Sequence, residues 1–107
     1  MLDKTVEVHL LYDCYGALLT ERQRRIAALR YFDDWSLSEI AAELGITRQA
    51  VNDAMKKTVA QLAEYEQKLG LLAAHLRRRE RLRELEARLR ERYGVGDDVL
   101  AQLRELI

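Results

Sequence analysis

The run "SLSEIAAELGITRQAVNDAMKK", Ser36 to Lys57, most narrowly restricts what this chain can fold into. Ser36 and Glu39 stand at the spacing of a capping box, in which the hydroxyl takes the N–H three residues on and the carboxylate reaches back. The helix they start runs to Leu44, and Gly45 follows where a left-handed backbone ends a helix. Thr47 caps the next helix after the short turn Gly45-Ile46-Thr47. Helices joined so closely must cross. Ala41 is small at the crossing, Ile40, Leu44, Ile46 and Val51 fill the wedge, and Ala54 lets the second helix pack tightly. This is the pattern of a helix-turn-helix, whose second helix presents Arg48, Gln49, Asn52, Asp53 and Lys56 outward with its N-terminus leading.

The remainder also reads as helix. The chain has no proline, five glycines, one Trp and one Phe, and no alternating β-branched runs, so the expected class is all-α. A first helix is predicted from Leu2 to Ala17, with Val6, Leu10, Cys14 and Ala17 facing inward and Leu11 and Leu18 widening the stripe. Gly16 near its end would help the chain turn. Thr20 and Gln23 repeat the capping-box spacing and open a second helix. Ile26, Leu29 and Tyr31 or Phe32 form its buried face, Arg22, Arg24, Arg25 and Arg30 cover the rest, and Asp33-Asp34 turn the chain. The helix capped by Thr47 continues to Gly70 along a seam of Val51, Met55, Thr58, Leu62, Tyr65 and Leu69.

Composition changes after Gly70. Residues 1–70 read as a helix-turn-helix domain and 71–107 as a charged helical extension. Leu72, Leu76, Leu82, Leu85 and Leu89 make a narrow apolar seam among arginines and glutamates, with Glu84/Arg88 and Glu86/Arg90 as four-apart pairs. "YGVGDD" breaks the helix, and Asp97 or Asp98 caps a last one with Val99, Leu100, Leu103, Leu106 and Ile107 on its apolar face. The leucine seam either pairs with a second copy, giving a homodimer through the C-terminal helices, or folds back on the core.

From Leu19 to Leu62 the chain resembles region 4 of the bacterial sigma factors, through its acidic turn, "EIA", "LGI" and "RQAV". Over about Leu10 to Leu72 it is more similar to the YlxM family of small bacterial helix-turn-helix proteins. The "YGALLTERQ" lead-in, "RQAVNDAMKKT" and "YEQKLGLL" are particular to that family. The arginine-rich part after Ala73 lies outside this likeness. The resemblance implies an accessory or regulator of the signal recognition particle pathway, with the particle's RNA or its GTPase as partner. A sigma-like initiator is disfavoured, because the promoter-melting and core-polymerase-binding regions are lacking.

Charge bears on the partner. Arg48 suits a guanine edge, Gln49 or Asn52 an adenine edge, and Lys56 and Lys57 phosphates. The chain's formal charge is nevertheless zero, and Ser36 to Gly70 carries four basic residues against five acidic ones. That predicts weak general DNA affinity. Three readings of the binding surface follow: nucleic acid on the second helix of the motif, sequence-specific DNA regulation on the same face, or a protein-docking module. Arg77, Arg78, Arg79, Arg81 and Arg83 form either a solvated face or a clamp on RNA phosphates.

Catalysis has little support. His9 and His75 are isolated, Glu39 is explained as a cap, and no glycine-rich phosphate loop occurs. Cys14 on an apolar stripe reads as a small core residue. Tyr12, Tyr15, Tyr31, Phe32 and Trp35 read as core and core-edge aromatics. No enzyme, cofactor or metal is expected. A single cysteine, no signal-peptide pattern and no long apolar stretch lead to the expectation of a soluble cytoplasmic chain without membrane insertion.

Overall fold

A computed structural model describes residues 3–106. The described residues are all-α and contain no strand, and the chain divides between Gly70 and Leu71 into two compact units. No helix among them is long and apolar enough to cross a membrane.

The first unit opens with α1 (Lys4–Tyr15), capped by Asp3, whose side chain accepts from the Thr5 N–H at 2.8 Å. The predicted start at Leu2 lies outside the described residues. The buried stripe of α1 is Val8, Leu11 and Tyr15, whereas Leu10 and Cys14 are half-buried and Val6, Ala17 and Leu18 are exposed. The expected stripe is therefore turned round the helix. Tyr15 decides it: the phenol is wholly buried, its hydroxyl donates to Glu66 at 2.6 Å and its ring meets Tyr65. A phenol can be buried when its polar tip finds a partner, and only packing against a later helix supplies one. Burial first, then the Glu66 and Asp13 carboxylates, push the Cys14 thiol above its ordinary value, which suits a core-edge residue.

Gly16 begins a 3-10 turn (Gly16–Leu18) with right-handed backbone at φ −55°, so its turn is not the left-handed one that requires glycine. Helix α2 (Glu21–Ala27) has both hydrogen bonds of the predicted capping box. It buries Ile26 and Ala27, then widens into a π turn (Ala28–Phe32). There Leu29 and Tyr31 are half-buried and Phe32 is exposed. Arg30 is not simply a surface charge, because its guanidinium donates to the Trp35 carbonyl at 3.0 Å. The acidic turn puts Asp34 at φ 61°.

Helices α3 (Leu37–Leu44) and α4 (Arg48–Leu69) form the helix-turn-helix. Ser36 and Glu39 make both capping-box bonds, and the Ser36 N–H holds the Glu39 carboxyl below its ordinary value. Gly45 has φ 67°, and its N–H bonds the Ala41 carbonyl. Thr47 caps α4 by accepting from the Ala50 N–H at 3.0 Å. Ile26, Ile40, Ala41 and Val51 form the buried cluster, with Leu29, Trp35, Leu44, Ile46 and Ala54 packed against it. Along α4, Val51, Thr58 and Leu62 are buried and Met55 and Tyr65 half-buried, but Leu69 is exposed, one residue before Gly70 ends the helix at φ 62°.

The second unit is α5 (Leu71–Tyr93) and α6 (Asp97–Glu105), joined through Gly94 at φ 61°. Gly96 occupies the cap position of α6, so Asp97 and Asp98 lie in its first turn, where carboxylates favour the helix dipole, and are not caps. Leu100 is wholly buried and Leu103 half-buried, while Val99 and Leu106 are exposed; Ile107 lies outside the described residues. On α5, Leu72 is buried, Leu82 and Leu89 half-buried, and Leu76 and Leu85 exposed. The glutamate pairing differs from the predicted one. Glu86 takes Arg104, and Arg90 takes Asp97. These pairings run α6 back along α5.

Candidate nucleic-acid interface

The outward surface of the motif is built from the first turns of α4. Its back is anchored by Val51 and its N-terminus by Thr47, so the exposed side chains stand on a fixed frame. Arg48 and Gln49 are exposed and Asn52 half-buried, and together with Leu37 they line a groove of about 330 Å³. Asn52 also lines a second groove, of about 340 Å³, with Lys56, Tyr31 and Lys4. Lys57 lines neither groove. It follows Arg48 by nine residues, about two and a half turns, which places it on the opposite flank of α4. Gln49 is engaged within the helix, its amide donating to Asp53 at 3.0 Å.

Lys4 and Tyr31 join this surface without a signal in the sequence. Only the packing of α1 against α4 and against the π turn brings them beside Asn52 and Lys56.

The arginine cluster of α5 is divided. Arg79 and Arg83 line one groove with His75, Glu86 and Arg104, and Arg78 and Arg81 line another with Arg88, Glu84 and Leu103. Leu82 borders both, and Arg77 borders neither. Arg104 is held by Glu86 and Arg83 lies 3.5 Å from Glu80, so part of the positive charge is locally balanced.

The family described as "Putative helix-turn-helix protein, YlxM / p13 like" (UPF0122) matches residues 2–99. The chain belongs to this family. A UPF0122 protein of Geobacillus kaustophilus is 47% identical over 106 residues, covering 99% of this chain and 96% of the relative. One from Halalkalibacterium halodurans is 45% identical over the same shares. A third, from Listeria welshimeri, is 40% identical, again over 99% and 96%. The likeness to UPF0122 thus extends beyond Leu72 through the arginine-rich helix, past the span of the particular motifs. Both units belong to the family pattern.

Proposed function

We propose that this chain is a non-catalytic accessory of the signal recognition particle pathway that acts by binding, with the exposed face of α4 as its nucleic-acid contact. The observation that carries the reading is the placement of Arg48, Gln49 and Asn52 along one groove on a helix whose opposite side is fixed in the core. Arg48 offers a planar fork for a base edge or phosphate, and Asn52 both donates and accepts. Membership of the YlxM / p13-like family supports the pathway, through the association implied by that resemblance. The slight acidic excess between Ser36 and Gly70 argues against general DNA coating.

The test is binding of the purified protein, at about 150 mM salt, to the particle RNA, the particle GTPase and a library of genomic DNA fragments. Saturable binding to the RNA or the GTPase, without enrichment of any DNA site, is the expected outcome. Enrichment of one DNA sequence that is lost in Arg48→Ala would replace this reading by a sequence-specific DNA regulator. That rival is favoured by the position of Arg48 and Gln49 in the first turn of α4, the end that leads into a major groove.

A further inference from the structure

The groove between the start of α1 and the middle of α4 carries chemistry for which a paired duplex has no use. Its polar lining is Lys4, Tyr31, Asn52 and Lys56, over an apolar floor that includes Met55 and Val59. No described residue lining it is acidic. At about 340 Å³ it is near the lower end of ligand-cleft sizes.

Tyr31 stands there because the π turn puts it there. A π turn adds a residue to the helical turn and so rotates the side chains that follow. Here it is closed by the Asp33 N–H on the Ala28 carbonyl at 3.0 Å. Helix α1 pins the turn twice: His9 Nε2 donates to the Tyr31 carbonyl at 2.6 Å, and Phe32 stacks on the same imidazole at 4.6 Å. The core cluster takes Ile26 from α2 and Leu29 from the π turn but not Tyr31. The π turn and its latch therefore place a half-buried phenol ring beside an amide and two ammonium groups, outside the core.

We propose that this groove takes one unpaired nucleotide of a single-stranded nucleic acid. The base lies against the Tyr31 ring, the Asn52 amide bonds its edge, and Lys4 and Lys56 hold the phosphates on either side. Every base has a π face, so an aromatic ring grips unpaired bases whatever their sequence, while an amide adds preference through the exposed edge. Because Asn52 also lines the groove of Arg48 and Gln49, the strand continues from this site to the N-terminus of α4. A duplex keeps its bases stacked inside and cannot fill the groove. The inference rests on α4 as a nucleic-acid contact and names the kind of nucleic acid.

Fluorescence anisotropy with a short single-stranded RNA, the same sequence as DNA, and the paired form of each tests it. Single strands are expected to bind at least about tenfold more tightly than duplexes. Tyr31→Leu weakens that binding roughly tenfold or more, whereas Tyr31→Phe, which keeps the ring, stays within about twofold of the parent. Lys4→Ala, on an exposed first turn, weakens it a few-fold and serves if Tyr31→Leu fails to fold by circular dichroism. Equal binding of RNA and DNA strands assigns recognition to base and phosphate; an RNA preference adds the 2′-hydroxyl. If duplex binds as well as single strand, and neither Tyr31→Leu nor Lys4→Ala changes it while Arg48→Ala abolishes it, this inference is overturned and α4 as an interface stands. Absence of binding to all four probes overturns both.

Discussion

Gln49 donates one side-chain N–H to the Asp53 carboxylate across one turn of α4, at 3.0 Å, so two residues of the candidate interface are tied to each other. That bond takes one of the two N–H donors of the amide and leaves the other N–H and the carbonyl oxygen for a base edge. The carboxylate also sets a negative charge on the surface proposed to approach phosphates. Asp53→Asn keeps the shape and an acceptor while removing the charge. It is expected to raise nucleic-acid affinity about two- to fivefold, the scale of one exposed charge interaction, in a titration against the parent protein. Unchanged or weaker binding would mean that this face of α4 meets no phosphate.

The stability of the helix-turn-helix is expected to depend on its punctuation in a graded way. Ser36→Ala and Thr47→Ala each remove a side chain that accepts from an orphan N–H, at a cost of about 1 kcal/mol. Gly45→Ala costs about 1–2 kcal/mol from left-handed backbone alone, since a Cβ at φ 67° meets nothing within 4 Å. Gly16→Ala is expected to be close to neutral, because its backbone is right-handed and the added carbon rests 3.4 Å from the Tyr12 ring. Urea unfolding followed by the single Trp35, which packs on the core cluster, reads all four. Equal losses at Gly16 and Gly45 would contradict the backbone account.

These cases also mark what the sequence made legible. The motif was readable because its rules are local: Ser36 with Glu39, Thr20 with Gln23 and Gly45 before Thr47 act within a few residues of one another. The stripe on α1 was not, because Tyr15 goes inward only for the sake of Glu66, fifty-one residues away. Along α5, the four-apart spacing of Glu86 and Arg90 suggested a pair, but α6 returns and brings Arg104 to Glu86 in a two-point contact. The candidate site follows the same division. Arg48, Gln49 and Asn52 come from helical spacing, whereas Lys4 and Tyr31 reach the groove only through tertiary packing. A seemingly single arginine cluster is spread over two grooves because consecutive residues on a helix point about 100° apart.

The Arg104–Glu86 contact gives α6 a pH dependence. Arg104 donates from Nε to one carboxylate oxygen at 2.6 Å and from Nη2 to the other at 3.0 Å. Those hydrogen bonds hold the Glu86 carboxyl below its ordinary 4.5. A carboxyl depressed by folding contributes stability that is complete above its unfolded value and is lost as pH falls through the lower folded one. The seating of α6 is thus expected to be constant above pH 4.5 and to loosen below it, with Glu86→Gln loosened at every pH. Methyl NMR signals of Leu100, which is wholly buried, report the change. Identical Leu100 signals in Glu86→Gln and the parent would remove the pair from any role in holding α6.

The salt dependence of binding separates α4 from the arginines of α5 as the source of affinity. Each phosphate neutralised on a single strand releases counterions and contributes about −0.7 to the slope of log affinity against log salt. Lys4, Arg48 and Lys56 line the two adjoining grooves that share Asn52, and Lys57 on the far flank of α4 is a fourth cation within reach of a longer strand. Three or four contacts give a slope between about −2 and −3. Arg48→Ala is expected to make it shallower by a little under one, and the double change Arg79→Ala with Arg83→Ala to leave it unchanged. A parent slope near twice the expected one, reduced by the Arg79/Arg83 change and untouched by Arg48→Ala, would transfer the phosphate contacts to the α5 groove that Arg79 and Arg83 share with Arg104.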